Sequence, residues 1–152
     1  LETPRLRVAS FVENVPAAMA AVDLVVSRAG AITLAEVCAA GRPSVLLPLL
    51  AGGAHQLANA RLLFEAGAAS LIEDDLLDAD RLRLELTNLL GDRALLARMG
   101  ENARSLARPQ AAMAIVDRIA RNHGGELRLV ARDGGGLTAE VLLPIGQIGG
   151  IR

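Results

Sequence analysis

Short apolar runs alternate with helical segments along the first two-thirds of the chain, and this alternation restricts the fold more than any other feature. The apolar runs predict strands at Leu6–Phe11, Asp23–Ser27, Ser44–Leu47 and Ala69–Ile72. The segments between them predict helices that begin after Asn14 and at Thr33–Ala40 and His55–Ala66. Such alternation is typical of βα units, whose strands pair in parallel. We therefore predict an α/β fold with a mainly parallel sheet flanked by helices.

The last third of the chain follows a different pattern, in which helices come first and alternating strands follow. It predicts helices at Ala79–Leu90, Arg93–Leu106 and Pro109–Asn122, and strands at Glu126–Ala131 and Thr138–Leu143. Asp78 and Asp92 are the expected N-caps of the first two helices. The two strands flank a glycine-rich turn and predict an antiparallel β-hairpin. We place a boundary inside the helix after Pro109, which gives parts of residues 1–111 and 112–152 packed into one domain.

Composition excludes several classes of function. The net charge is -1 and there is neither Trp nor Tyr, so the chain lacks both the basic surface and the aromatic platform of nucleic-acid binding. All 16 basic residues are Arg, which excludes a Walker A lysine and a Schiff-base lysine. The single cysteine, Cys38, excludes internal disulfides and cysteine-based zinc sites and fits a reducing cytoplasm. We expect no nucleic-acid partner, no metal and no cofactor.

The ends and the apolar runs carry three further expectations. No run approaches the ~18 residues that a membrane span needs, so no integral membrane segment is expected. No apolar stretch typical of a secretory signal lies near the N-terminus, which favours a cytoplasmic location. Because residue 1 is Leu rather than Met, we expect the chain to be a piece of a longer one.

The turn between the second predicted strand and the next helix is the first candidate binding site. It comprises Gly30, Ala31, Ile32 and Thr33. Glycine lets the backbone approach a ligand closely, and the free N–H groups of a helix N-terminus suit a phosphate. Glu36 lies one turn into the helix, where its carboxylate could accept hydrogen bonds from ribose hydroxyls. The alternative interpretation is a plain strand–helix turn in which Glu36 stabilises the helix N-terminus.

The loop after the third predicted strand is the second candidate. Small residues at 51–54 lead into a helix that opens with His55, Gln56 and Asn59, which can face one spot at spacings of three and four residues. Amide side chains both donate and accept hydrogen bonds, which suits sugar hydroxyls and a diphosphate. The alternative is that His55 and Gln56 cap the helix and face water. Because both loops follow consecutive parallel strands, we expect them at the same carboxyl edge, where such folds bind ligands.

Other conspicuous residues are interpreted as structural. Cys38 lies among small apolar residues and is expected in the core. His123 is expected to end its helix, and Gly134–Gly136 to form a turn. The run Glu73–Asp75 is interpreted as a solvated loop, and no Ser/His/Asp set at catalytic spacing occurs, so no catalytic residue is assigned.

Residues from about 6 to 112 resemble the donor-sugar half of the MurG family, the UDP-N-acetylglucosamine transferases of peptidoglycan synthesis. The matching blocks, in order, are Phe11–Asn14, Ala21–Ala31, Thr33–Glu36, Ala39–Ser44, His55–Ala60, Glu65–Ala69 and Leu106–Pro109. The resemblance implies a Rossmann-like C-terminal half of a GT-B glycosyltransferase, which grips UDP-N-acetylglucosamine.

The resemblance also implies a role for each residue of the two candidate loops. Phe11 and Val12 would border the uracil, and Glu36 would bind the ribose. Ala31, Ile32 and Thr33 would offer backbone groups near the diphosphate. His55, Gln56 and Asn59 would contact the diphosphate and the N-acetylglucosamine. In the family, however, an N-terminal acceptor domain supplies the lipid site and the catalytic base, and a Gly-Gly-Ser loop opens the donor half; neither is represented in these 152 residues. The loop Leu49–Ala54 also lacks the family's usual polar residues. We expect no turnover from the chain alone, with the acceptor domain as its natural partner.

Residues 113–146 resemble the end of a sensor histidine kinase ATP-binding domain. The resemblance is carried by Ala114–Ile119, His123–Gly125, Gly134–Leu137 and Leu142–Pro144. The nucleotide-binding motifs of that family are missing, so we interpret this tail as structural. Two resemblances that meet inside one helix predict a chimera, natural or engineered, whose hairpin replaces the missing strands of the parallel sheet or adds to its edge.

Three functions are therefore open at the level of sequence. The first is a truncated or chimeric donor-binding domain of a MurG-like hexosyltransferase. The second is a folded α/β scaffold that binds no ligand. The third is a histidine-kinase-like ATP-binding fragment, which the missing nucleotide motifs disfavour.

Overall fold

A computed structural model describes residues 6–49, 55–132 and 137–144, and the chain divides into two compact units between Ala107 and Arg108. The first unit contains α1 (Val15–Ala20), β1 (Val25–Ser27), α2 (Ala31–Ala40), β2 (Ser44–Leu46), α3 (His55–Glu65), β3 (Ala69–Leu71), a 3-10 turn (Asp74–Leu76), α4 (Ala79–Gly91) and α5 (Arg93–Leu106). The second unit contains α6 (Ala111–Asn122), β4 (Glu126–Ala131) and β5 (Leu137–Leu142). No helix in the described ranges is long and apolar enough to cross a membrane.

Three parallel strands form the centre of the first unit. Their order is β1-β2-β3, with Val25 opposite Ser44 and Ser44 opposite Ala69. Every residue of β2 is buried, as expected of a central strand with helices on both faces. The prediction of a mainly parallel sheet flanked by helices is confirmed, and the carboxyl ends of all three strands lie at one edge.

The core lies on both faces of this sheet, because neighbouring residues of a strand point to opposite sides. Leu46 belongs to a cluster with α2, α3 and α5 in which Ala predominates: Ala29, Leu34, Cys38, Leu46, Ala60, Leu63, Ala68, Ala69 and Ala103. Val45 belongs to a second cluster, with Ile72, Leu89 and Met99, which is covered by α4 and α5. The first cluster is made of small side chains, so helices and sheet lie close together there.

The predicted helix ends are confirmed by their hydrogen bonds. Asn14, Asp78 and Asp92 each accept a hydrogen bond from the amide three residues later, at 3.0, 2.7 and 2.9 Å. These bonds satisfy N–H groups that have no acceptor inside the helix. Gly41 ends α2 in the left-handed conformation, with φ 60°, which glycine adopts without strain.

The predicted strand at Leu6–Phe11 is not formed. Only Leu6 makes an isolated β-bridge, and Val8 and Phe11 are 62% and 78% exposed. An apolar run becomes a strand only where another strand pairs with it, and β1 pairs with β2 alone. The residues are apolar, but the strand predicted from them is wrong.

The second unit consists of one helix and one hairpin. β4 and β5 pair antiparallel from Glu126 opposite Leu142 to Ala131 opposite Leu137, which confirms the predicted hairpin. They form a sheet of their own, so the expectation that they add to the parallel sheet is wrong. The apolar pattern of a strand does not determine which other strand it pairs with. The glycines of the predicted turn, Gly134–Gly136, lie outside the described residues.

Candidate functional site

The described residues of both candidate loops lie at the carboxyl edge of the parallel sheet and line one cavity. α2 begins after β1 and α3 begins after β2, and these strands are parallel neighbours. An open cavity of about 380 Å³ lies between the two helix N-termini. Its lining is Gly30, Ala31, Ile32, Thr33, His55, Gln56 and Asn59. The sequence placed these residues in two separate loops, and the structure brings them together; their binding of a ligand stays a prediction.

The N-terminus of α2 forms one wall of this cavity. Gly30 is the N-cap residue, with an extended backbone and no side chain to cap the helix. The first hydrogen bond of the helix runs from the Leu34 amide to the Gly30 carbonyl at 3.0 Å. The preceding amides, at 31–33, have no acceptor within the helix, and the helix dipole adds a partial positive charge there. This wall can therefore donate several hydrogen bonds to an anion.

The N-terminal turn of α3 forms the opposite wall and is tied to the loops around it. The Asn59 side-chain amide donates to the Ala29 carbonyl at 3.3 Å, which links α3 to the turn before α2. The Gln56 side-chain oxygen accepts a hydrogen bond from the Leu49 amide at 3.1 Å. Gln56 is thus half-buried and bonded, while the His55 ring is exposed. The loop that precedes His55, residues 51–54, lies outside the described residues.

Arg28 holds this edge of the sheet together, a role that sequence reasoning missed. Its guanidinium donates through Nη1 to the Leu47 carbonyl at 3.0 Å and to the Asp74 carboxylate at 2.6 Å. One side chain therefore connects the segments that follow β1, β2 and β3. The interpretation of residues 73–75 as a solvated loop is wrong for Asp74, and Glu73 pairs with Arg61 at 3.4 Å. An arginine directly after an apolar run was the signal in the sequence.

Three of the predicted site residues do not line the cavity. Glu36 lies half-buried on α2, one turn beyond the N-terminus. Phe11 and Val12 are 78% and 45% exposed. Glu36, Phe11 and Val12 thus lie outside the cavity, and the ribose and uracil roles that the resemblance implies for them stay predictions.

The thiol of Cys38 and the potential metal ligands also bear on the chemistry of the unit. Burial raises the pKa of the Cys38 thiol, which keeps it protonated in the core cluster as expected. Among the residues that the structure describes, no group of three His, Cys, Asp or Glu side chains could hold a metal ion.

The sequence profile of the glycosyltransferase family 28 C-terminal domain matches residues 2–118. Two curated relatives each carry the name UDP-N-acetylglucosamine--N-acetylmuramyl-(pentapeptide) pyrophosphoryl-undecaprenol N-acetylglucosamine transferase. The protein from Halorhodospira halophila is 49% identical over 114 residues, which cover 74% of this chain and 31% of the relative. The protein from Chlorobium phaeobacteroides is 48% identical over 118 residues, 77% of this chain and 32% of the relative. The chain thus spans about a third of the length of these relatives.

Two solved structures share the fold. The crystal structure of Acinetobacter baumannii MurG aligns with a TM-score of 0.70 at 37% identity and covers 76% of this chain and 33% of that chain. The glycotransferase of kitacinnamycin aligns with a TM-score of 0.58 at 25% identity, over 76% of this chain and 30% of that chain.

Proposed function

The chain belongs to the glycosyltransferase family 28 C-terminal domain family, and from this membership we propose that it is the donor-binding part of a MurG-like enzyme. Its ligand is UDP-N-acetylglucosamine, the donor in the names of its relatives. The observation that carries this proposal is the single cavity between the N-termini of α2 and α3, at the carboxyl edge of the sheet.

The walls of the cavity suit the two halves of a nucleotide sugar. The free amides of α2 at 31–33 offer hydrogen bonds and partial positive charge to a diphosphate. His55 and the amide groups of Gln56 and Asn59 offer donors and acceptors to the diphosphate and to sugar hydroxyls. A volume of about 380 Å³ lies within the range of small-molecule sites, about 300–1,000 Å³. Glu36, Phe11 and Val12 are assigned to the ribose and the uracil through the family resemblance.

The chain is not proposed to complete the transfer reaction. The matched part covers only about a third of each relative, and we propose that the remaining part of such an enzyme binds the acceptor and supplies the catalytic base. This part is the partner with which the donor-binding unit would act, at the cytoplasmic face of the membrane. Within this chain the residues bind and orient the donor, and none is assigned to proton transfer.

We assign no ligand to the C-terminal tail. Its resemblance to the end of a sensor histidine kinase ATP-binding domain, and the chimera that follows from it, stay predictions. α6 followed by the β4–β5 hairpin is compatible with that resemblance. We keep the tail, residues 112–152, as a structural addition to the donor-binding part, residues 1–111.

Calorimetric titration of the purified chain tests the proposed function. We expect saturable binding of UDP-N-acetylglucosamine and of UDP, and no binding of ATP with magnesium. Silence with all three ligands on a cooperatively folded sample would contradict the proposal and favour a scaffold without ligand. Binding of ATP alone would instead favour the kinase-like fragment.

A further inference from the structure

A second cavity, of about 350 Å³, lies at the opposite edge of the parallel sheet. Asp23, which comes just before β1, and Arg42 and Pro43, which come just before β2, form part of its wall. Because the strands are parallel, these residues mark the amino edge, whereas Gly30 and His55 lie at the carboxyl edge. The two cavities share no residue.

One face of α5 forms another wall of this second cavity. Arg93, Ala97, Gly100 and Arg104 all line it, and their spacings of four, three and four residues place them along one side of the helix. The two residues of the stripe between the arginines, Ala97 and Gly100, are small. α5 also lies close to the end of α2, since a Cβ added to Gly100 would be 2.7 Å from the Gly41 carbonyl oxygen. Arginines therefore stand at both ends of a stripe about 16 Å long.

Arg42, next to Gly41, also lines the cavity. Its Nη1 donates to the Val22 carbonyl at 3.0 Å and its Nη2 to the Ala20 carbonyl. Both acceptors are neutral, so the guanidinium is held in place without a carboxylate. Its Nε is buried without a hydrogen-bond partner in the described structure. The positive charge of Arg42 is thus positioned but not neutralised.

The other two arginines of the cavity also lack a carboxylate partner among the described residues. Arg93 and Arg104 make no ion pair with the residues that the structure describes, although Asp23 and Glu101 line the same cavity. The guanidinium of Arg104 lies against Gly41 at the end of α2, where a cation is favourable. Three positive and two negative side chains leave a local charge of +1 in a chain whose net charge is -1.

We propose that this cavity binds the phosphate groups of a small soluble anion that carries two adjacent phosphates. Guanidinium groups recognise phosphate through paired N–H donors in a fixed plane, which a lysine does not offer. Three arginines along one cavity, Arg42, Arg93 and Arg104, suit a diphosphate better than a single phosphate.

Titration with inorganic pyrophosphate, followed by amide chemical shifts at about 0.15 M salt, tests the proposal. We expect saturable binding, with shifts confined to the segments around Arg42 and along the cavity face of α5. Arg93→Gln and Arg104→Gln should each weaken binding by about tenfold, since each removes a charge-assisted donor. Arg98→Gln is the matched control, because Arg98 is exposed on the same helix and does not line the cavity.

Absence of saturable pyrophosphate binding by the unchanged chain would overturn the proposal. Equal weakening by Arg98→Gln would overturn it as well, because the effect would then belong to the overall charge. Arg104→Lys keeps the charge near Gly41 and should restore folding where Arg104→Gln does not, yet still bind more weakly. Vesicles of phosphatidylglycerol form the second arm: binding that pyrophosphate does not displace would assign the arginines to a lipid surface and would also contradict the proposal. UDP-N-acetylglucosamine shifts at residues 30–33 and 55–59 report the donor site separately.

Discussion

Gly30 has an ordinary extended backbone, with φ -69° and ψ 140°, so its conformation does not require glycine. An added Cβ would meet only the Thr33 hydroxyl oxygen, at 3.9 Å. The fold therefore leaves this position free, and the open space in front of it belongs to the candidate donor cavity. We expect a glycine that the fold does not need at a position where a ligand approaches the backbone closely.

Gly30→Ala should leave the stability of the chain unchanged and weaken UDP-N-acetylglucosamine binding by about tenfold, since the new methyl group occupies the ligand's side of the backbone. Calorimetric titration and a thermal melt measure the two effects. Gly91→Ala is the matched control, because a Cβ there meets nothing within 4 Å and lies outside the cavity. Equal affinities for both variants would place the diphosphate elsewhere.

Titration of Cys38 should determine how the stability of the chain depends on pH in alkaline solution. Burial raises its thiol pKa above the ordinary value of 9.0, and the chain has no Tyr and no Lys to titrate in that range. Above pH 9 the unfolded chain loses the thiol proton while the folded chain retains it, so the free energy of unfolding should fall as pH rises. Below pH 9 this contribution is constant.

Urea unfolding between pH 8 and pH 11 measures this slope, and Cys38→Ala should abolish it. A slope that persists in Cys38→Ala would show that another group is responsible.

At the scale of single elements, the sequence predicted the helix ends, which depend on interactions between neighbouring residues. Asn14, Asp78 and Asp92 were identified as N-caps, and the end of α2 at Gly41 was correct, because each depends on residues within one turn. The two loops of the candidate site followed from parallel topology in the same way. The two wrong predictions, a strand at Leu6–Phe11 and a hairpin added to the parallel sheet, both concern which segments pair. Strand pairing depends on contacts between residues that are far apart in sequence. The Arg28–Asp74 contact was missed for the same reason.

The cap of α5 offers a direct measure of one such local interaction. Asp92→Ala removes the acceptor of the Leu95 amide, at 2.9 Å, and should lower the free energy of unfolding by about 1 kcal/mol. Asp75→Ala is the control, since that carboxylate is exposed and makes no hydrogen bond or ion pair with the described residues. Denaturant titration of both variants checks the difference; equal losses would exclude a capping effect.

At the scale of the whole molecule, the two units differ in how their strands are protected. All of β2 is buried, whereas β5 is exposed along its whole length and β4 along most of it. Slow amide exchange requires opening of buried, hydrogen-bonded structure, and exposed hairpins open at low free-energy cost. The fold thus predicts a first unit that opens only by global unfolding and a second unit that opens locally.

Hydrogen exchange followed by mass spectrometry or NMR should therefore find the amides of β2 protected about a hundredfold or more relative to those of β4 and β5. Addition of UDP-N-acetylglucosamine should increase protection at the N-termini of α2 and α3 and leave the hairpin unchanged. Equal protection of β2 and the hairpin would mean that the chain opens as one cooperative unit.

The predominance of alanine in the cluster around Leu46 limits how this unit can change by mutation. A larger side chain at Ala60 or Ala103 would overpack the space between helices and sheet, at a cost of about 1–3 kcal/mol. Truncation at the same positions removes only a methyl group, so the largest cavity-forming substitutions do not exist there. The side-chain volume that these alanine positions tolerate is close to its present value, so substitutions at these positions are confined to the smallest residues.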